Sequence, residues 1–178
     1  MVGRKEIRLS GSGGQGLILG GIILGEAGIL DGNNAVQSQS YGPEARGGAS
    51  KSEVIISDEE VDFPKVQKAD LLLSLTDVAY KKYIGTLKDG GTLIVDSSVN
   101  IDKEDKKHEI IQIPILYTAS EKVGKAMVAN IVAIGAIQEL TGVVSKESLE
   151  KAVLNRVPPG TEDVNRAALS AGYDLIKK

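Results

Sequence analysis

The chain has 178 residues, 42% hydrophobic and 25% charged, which is the length and composition of one ordinary domain with its own core. Its 21 basic and 24 acidic residues leave a formal net charge of −3, which argues against nucleic acid or an anionic membrane as partner. There is no Cys and a single His, which excludes disulfides, a thiolate nucleophile and cysteine-held zinc or iron–sulfur clusters in this chain, and leaves little for a His-based triad.

In chain order, Glu6–Ser10 reads as a strand that runs into a glycine cluster. Gly14–Leu30 reads as a helix despite glycines at 20, 21, 25 and 28. Each glycine costs about 1 kcal/mol in an exposed helix interior, so packing must compensate. Gly21, Gly25 and Gly28 make a smooth face suited to close approach to a sheet. Ala35–Ser40 and Ser52–Ser57 are strands flanking the loop Tyr41–Ala49. With no helix in that loop they are expected to be antiparallel neighbours. Phe63–Lys68 is at most a helical turn. Ala69–Leu75 is an apolar run of strand length, the mark of a strand covered on both faces. Asp77–Leu87 is a helix, Gly91–Val95 another buried strand, Asn100–Lys107 a charged solvated stretch, and Glu109–Ile113 a last strand. His108, within that charged stretch, is read as a solvated surface residue. The remainder is helical: Ser120–Leu140, Lys146–Asn155 capped by Ser145, and Glu162–Lys178 opened by Thr161. Together these predict a single α/β domain over 1–178, an open three-layer doubly wound sheet, mostly parallel with an antiparallel strand pair and a helical C-terminal third. The apolar runs fall short of the ~20 residues of a membrane span, and a soluble cytoplasmic protein is expected.

Two motifs carry chemical information. Gly11-Ser12-Gly13-Gly14-Gln15-Gly16 satisfies GxGxxG between a strand and a helix, the setting in which backbone N–H groups meet a pyrophosphate. The other half of the dinucleotide fingerprint, an acid at the end of the second strand, is missing. Gln39-Ser40-Tyr41 stands there, and Asp31 precedes the strand. Three readings therefore stay open: an NAD(P)-binding reductase, a tight structural turn, and a wall for an anionic ligand or partner subunit. The second motif is Tyr41-Gly42-Pro43-Glu44-Ala45-Arg46-Gly47-Gly48. Both motifs follow the C-terminal ends of strands and should share the sheet edge where ligands bind. Arg46 presents a planar guanidinium to an anion, docks onto another chain, or pairs with Glu44. A lone Arg-Gly-Gly in an acidic chain with few aromatics argues little for RNA. Asp77 and Asp96 follow buried strands and are read as capping groups. Asn130 interrupts an apolar helix, so it needs partners, either a loop backbone or a ligand. Ala126, Ala129, Ala133 and Ala136 serve close packing or a subunit interface.

The blocks GSGGQG, QSQSYGPEARGGASKSEVIIS, FPKV, ADLLLSL and LKDGGTLIVDSS resemble, in order and spacing, the gamma subunit of 2-oxoacid:ferredoxin oxidoreductases. QSQSYGPEARGG is the specific part and most resembles the 2-oxoglutarate type. The resemblance implies membership of a complex that converts a 2-oxoacid, coenzyme A and oxidised ferredoxin to acyl-CoA, CO₂ and reduced ferredoxin. Thiamine diphosphate with Mg²⁺ and iron–sulfur clusters would be held by alpha, beta and ferredoxin-like subunits. The gamma chain would border the CoA-access cleft and hold the assembly together. On this reading the chain has no catalytic or metal-ligating residue and is inactive alone. Its ligand edge would comprise Gly11, Gly13, Gly14, Gln15, Gly16, Tyr41, Gly42, Glu44, Arg46, Gly47, Gly48 and Asn130. Without its partners it is expected to self-associate through the small-residue faces of Leu17–Leu30 and Ala126–Leu140. A stand-alone NAD(P)-dependent reductase and a non-catalytic interaction domain are the other classes the residues allow.

Overall fold

The computed structural model describes residues 2–40 and 49–177. The alternating and apolar runs become β1 (Arg4–Gly11), β2 (Asn34–Gln39), β3 (Ser50–Ser57), β4 (Ala69–Ser74), β5 (Leu87–Asp96) and β6 (Glu109–Ile113). They pair in the order β2-β3-β1-β4-β5-β6. β2 and β3 are antiparallel neighbours, as the short loop between them requires. β3 also lies antiparallel against β1, so one reversed strand is inserted between β2 and an otherwise parallel sheet. The helices are α1 (Leu17–Leu30), α2 (Asp77–Tyr83), α3 (Ala129–Thr141), α4 (Lys146–Arg156) and α5 (Glu162–Ile176).

The two faces of the sheet are covered unequally. α1, α3, α4 and α5 contribute to one large apolar core with Ile7, Leu9, Val54, Ile56, Leu71 and Leu73. α2 and two loops close a smaller one over Ile55, Leu72, Leu93 and Val95. The glycines of α1 do what their spacing predicts. A Cβ on Gly21 would stand 2.1 Å from Ser52 Oγ, and one on Gly28 3.2 Å from Ile56. The helix rests on β3 at a distance that larger residues would prevent. α3 and α5 meet more closely still. A Cβ on Gly172 would lie 2.2 Å from the Val132 carbonyl oxygen, and one on Gly135 2.7 Å from that of Leu169.

Several expected boundaries move for local reasons. α1 begins at Leu17 rather than Gly14, because Gly14 and Gly16 have φ of +85° and +74°. The helix expected over 77–87 stops at Tyr83, a 3₁₀ turn Ile84–Thr86 follows, and Leu87 already belongs to β5. Residues 63–68 are not helical. The helix expected over 120–140 is broken by Gly124, whose φ of +85° ends the π-helical turn Thr118–Val123 before α3 starts at Ala129. His108 is not a solvated residue. Its side chain is 7% exposed and Nδ1 lies 2.6 Å from Asp105 Oδ2, so the charged stretch folds back over its one aromatic base. The Asp105 carboxyl is held below its usual range by that His108 bond first, with backbone donors adding to it against a smaller effect of burial.

Candidate functional site

β1, β2, β4, β5 and β6 all end at one edge of the sheet, and β3 begins there, with Gly11 opposite Ser50 and Gln39 opposite Ser52. The Ser40 N–H donates to the Lys51 carbonyl at 3.3 Å. The two ends of the second motif therefore leave from beside the glycine turn, on the edge expected from the sequence. Tyr41, Gly42, Glu44, Arg46, Gly47 and Gly48 themselves lie outside the described residues.

The glycine turn is built by its own chain. Gln15 Oε1 accepts from the Ser12 N–H at 2.8 Å, and its side chain occupies the space a Cβ on Gly11 would need, 2.2 Å from that oxygen. Gln15 is thus a brace of the turn. Gly16 caps α1 in the left-handed region. The carbonyl of Gly16 accepts both the Gly20 N–H and Asn130 Nδ2, each at 3.0 Å. Asn130 is 4% exposed, and its Oδ1 accepts from the Ile131 N–H at 2.9 Å. Of the two roles open to Asn130, holding a loop backbone is the one its bonds perform. A Cβ on Gly16 would come within 2.6 Å of Asn130 Nδ2, so the glycine and the asparagine require each other. No side chain caps α1 and its first turn carries no acid. Among the described residues its leading N–H groups are therefore left for solvent or an anion.

Behind Asn130 lies a largely apolar cavity of about 260 Å³, lined by Leu19, Val128, Ile131, Val157 and Val164, with Lys125 and Asn165 as polar members. Asn130 lines this cavity and also fixes Gly16, so one side chain touches both cavity and turn. The share of Val157, Val164 and Asn165 could not be read locally, because a chain reversal after Arg156 brings them there. The only sequence hint was Lys125 beside Gly124 in a segment of small residues.

The acidic candidates are occupied elsewhere. Asp96, 3% exposed, accepts from the Ser98 and Leu116 N–H groups at 2.9 and 2.8 Å. Asp77 Oδ1 accepts from the Asn100 N–H at 2.7 Å. Both hold loop backbone; Asp77 does not cap α2, whose cap is Thr76, accepting from the Ala79 N–H at 3.2 Å. Asp31, the one acid near the spacing of a dinucleotide site, braces Ser145, the cap of α4, instead, through the Ser145 N–H, Ser145 Oγ and Ser148 Oγ at 2.7, 2.7 and 2.6 Å. Burial alone would raise the Asp31 carboxyl, but the bonds from Ser148 and Ser145 outweigh it and hold the pKa below its ordinary value. Among the described residues no three of His, Asp and Glu converge to hold a metal. None of their helices is long and apolar enough to cross a membrane.

The sequence model of the pyruvate ferredoxin/flavodoxin oxidoreductase family matches residues 6–175. The chain belongs to this family. It is 55% identical over 180 residues to the 2-oxoglutarate synthase subunit KorC of Methanocaldococcus jannaschii, covering 98% of this chain and 95% of that one. The crystal structure of the keto/oxoacid ferredoxin oxidoreductase gamma subunit from Geobacter sulfurreducens superposes with a TM-score of 0.87 at 53% identity, covering 97% and 98% of the two chains. A 2-oxoglutarate:ferredoxin oxidoreductase from Magnetococcus marinus shares the fold within 31% of a longer chain (TM-score 0.89, 22% identity). The expected likeness to gamma subunits of this oxidoreductase family, and the α/β sheet, are borne out.

Proposed function

We propose that this chain is the gamma-type subunit of a 2-oxoglutarate:ferredoxin oxidoreductase, and that its glycine-turn edge lines the approach of coenzyme A. The single observation that carries the first half is 55% identity across 95% of a KorC subunit. The second half rests on the junction of an uncapped helix N-terminus with an apolar cavity at the edge where the Arg46 loop begins and ends. Coenzyme A has a diphosphate and a 3′-phosphate on a long, mostly apolar pantetheine arm. The first-turn N–H groups of α1, with Arg46 and Lys125, suit the phosphates. Leu19, Ile131 and Val164 offer the arm an apolar wall, and Asn130 keeps the turn from closing over it. Thiamine diphosphate with Mg²⁺, when bound on alpha and beta subunits, supplies the carbanion chemistry of decarboxylation, and clusters on the beta or ferredoxin-like subunit pass electrons on to ferredoxin. With no Cys, this chain contributes no thiolate ligand to those clusters. Its own work is to bind, orient and exclude water.

The test is steady-state kinetics of the assembled enzyme with 2-oxoglutarate, CoA and a viologen acceptor. A charge-assisted bond is worth ~1.5–3 kcal/mol, so Arg46→Ala should raise the KM for CoA roughly 10- to 100-fold at ~1.4 kcal/mol per decade. The KM for the oxoacid should barely move. Arg46→Lys should recover part of the loss, because an ammonium lacks the guanidinium fork. Unchanged CoA kinetics with weakened assembly would remove the ligand role and leave the loop as an interface. Turnover by the isolated chain would overturn the subunit reading.

A further inference from the structure

Apart from the exposed Ala126, the small-residue faces expected to drive self-association are spent inside the molecule. Gly21 and Gly28 lie on β3, while Ala133 and Ala136 are fully buried in the core. The apolar surface left outside is elsewhere. Ile29 of α1 is 59% exposed and Ile18 38% exposed. Ile22 and Ile29 border a hollow of about 230 Å³ whose floor is Ala35 and Gln37 of β2.

β2 is the outermost strand on that side. Its bond pattern can be read from its partner. Ser40 donates to Lys51, and the antiparallel register pairs residues whose numbers sum alike, Gln39 with Ser52 through Asn34 with Ser57. Val36 and Ser38 therefore share the hydrogen-bonded phase with Ser40, and Ala35 and Gln37 lie in the alternate phase. The backbone N–H and C=O of Ala35 and Gln37 point away from β3, out of the sheet. Edge strands are ordinarily guarded by charge, proline or bulges. The segment Asn34-Ala35-Val36-Gln37-Ser38-Gln39 has none of these. The opposite edge strand, β6, begins with Glu109 and is followed by Pro114.

We propose that β2 pairs with β2 of a second copy of this chain, antiparallel about a two-fold axis through Val36. In that register Ala35 faces Gln37 of the other copy, and each exchanges its outward N–H and C=O with the other, as an antiparallel hydrogen-bonded pair does. Self-pairing demands a strand that does not repel itself, and β2 is uncharged throughout. The charges at the rim of the hollow, Glu26 and Arg156, are already paired within one chain at 2.7 Å, so two copies meet without a like-charge contact there. The α1 helices then lie on the same face of a continuous sheet, and Ile22 and Ile29 of each fill the space between them. The interface is isologous, as a two-fold requires.

The chain has no Cys, so one introduced cysteine reports the register. Val36 would meet itself as a non-hydrogen-bonded pair, with Cα atoms about 4.5 Å apart, within the range of a disulfide. Ser38 would be offset by four residues from its own copy, about 14 Å along the strand, beyond any disulfide. The full chain at tens of micromolar should show a two-chain mass by light scattering. V36C should form a covalent dimer on mild oxidation and S38C should not. Ala35→Pro removes only an outward N–H, so it should give a one-chain mass with wild-type circular dichroism. If that variant misfolds, the cysteine pair still decides. A one-chain mass for the wild type, no cross-link in folded V36C, or equal cross-linking of V36C and S38C would overturn the proposal. None of these readouts involves CoA, so they stand or fall separately from the ligand edge.

Discussion

One face of the sheet is packed backbone against backbone, and the other is closed around a buried charge. Under α1, α3 and α5, glycines allow close approach and the core is largely apolar, with Asn130, Gln138 and Asn165 as buried polar members. Under α2, Arg8 is 3% and Glu53 6% exposed, on adjacent strands. Arg8 Nε and Nη2 each lie 3.2 Å from Glu53 Oε1. Nη2 also donates to the Val66 carbonyl at 2.8 Å and Nη1 to Thr86 Oγ1, while the guanidinium lies 5.8 Å from the Tyr83 ring centroid. Glu53 accepts in turn from Lys51 Nζ at 2.9 Å and from the Val66 N–H at 3.2 Å. The comparison teaches that a thin layer can be held by directional bonds where it lacks apolar volume. The pair ties two loops, through Val66 and Thr86, to the middle of the sheet.

The largest effect is expected on the charged face. Glu53→Ala leaves Arg8 buried without its carboxylate, which typically costs ~3–5 kcal/mol. For a chain of this size that is a fall in Tm of roughly 10–15 °C, measurable by calorimetry. The double change Arg8→Met with Glu53→Leu should recover much of the loss, since apolar replacement of a whole buried pair is often neutral. A double variant as unstable as the single would show that the pair organises the loops in a way that apolar packing cannot.

On the glycine face the effect should depend on what stands opposite. Gly172→Ala must push the backbones of α3 and α5 apart, because its Cβ would lie 2.2 Å from a carbonyl. A loss of ~1–3 kcal/mol is expected from such overpacking. Gly25→Ala meets nothing closer than 3.9 Å, so it should gain up to ~1 kcal/mol from helix propensity. Chemical denaturation of the two variants side by side checks the contrast in sign.

The smallest effect belongs to the exposed link between α1 and α4. Asp31→Asn should cost roughly 0.5 kcal/mol, a capping contribution reduced by exposure. The sign with pH follows from a folded pKa held below the unfolded one. The contribution is present above the unfolded value near 3.9 and fades as pH falls through the folded value. Urea midpoints of the two proteins should therefore differ at pH 6 and converge as the pH falls through the folded value.

Much of the site was legible because its signals are local. A glycine before a helix and an Asn in an apolar helix each advertise a backbone problem, whereas the brace at Gln15, read among the ligand-edge residues, emerges only in the structure. The cavity was not legible, since Val157 and Val164 reach it by chain reversal after Arg156. Nor was the Arg8–Glu53 pair, which sits in strands that alternate normally and becomes buried only when α2 covers them. Burial of His108 was missed for the same reason, as its neighbours in sequence are charged.

The sequence by itself determined the strand-forming runs, the glycine spacing of α1, the cysteine-free chemistry that assigns no cluster thiolate here, and the kinship with gamma subunits. These depend on periodicity, composition and motif, which act over a few residues. Tertiary structure alone decided that β3 slips in reversed between β2 and β1, which glycines face a carbonyl and which face open space, and which strand stays at the edge. Those outcomes depend on pairings between residues far apart in the chain, such as Ile7 with Val54 and Leu71. Their free energy comes from surfaces that exist only once the layers have met.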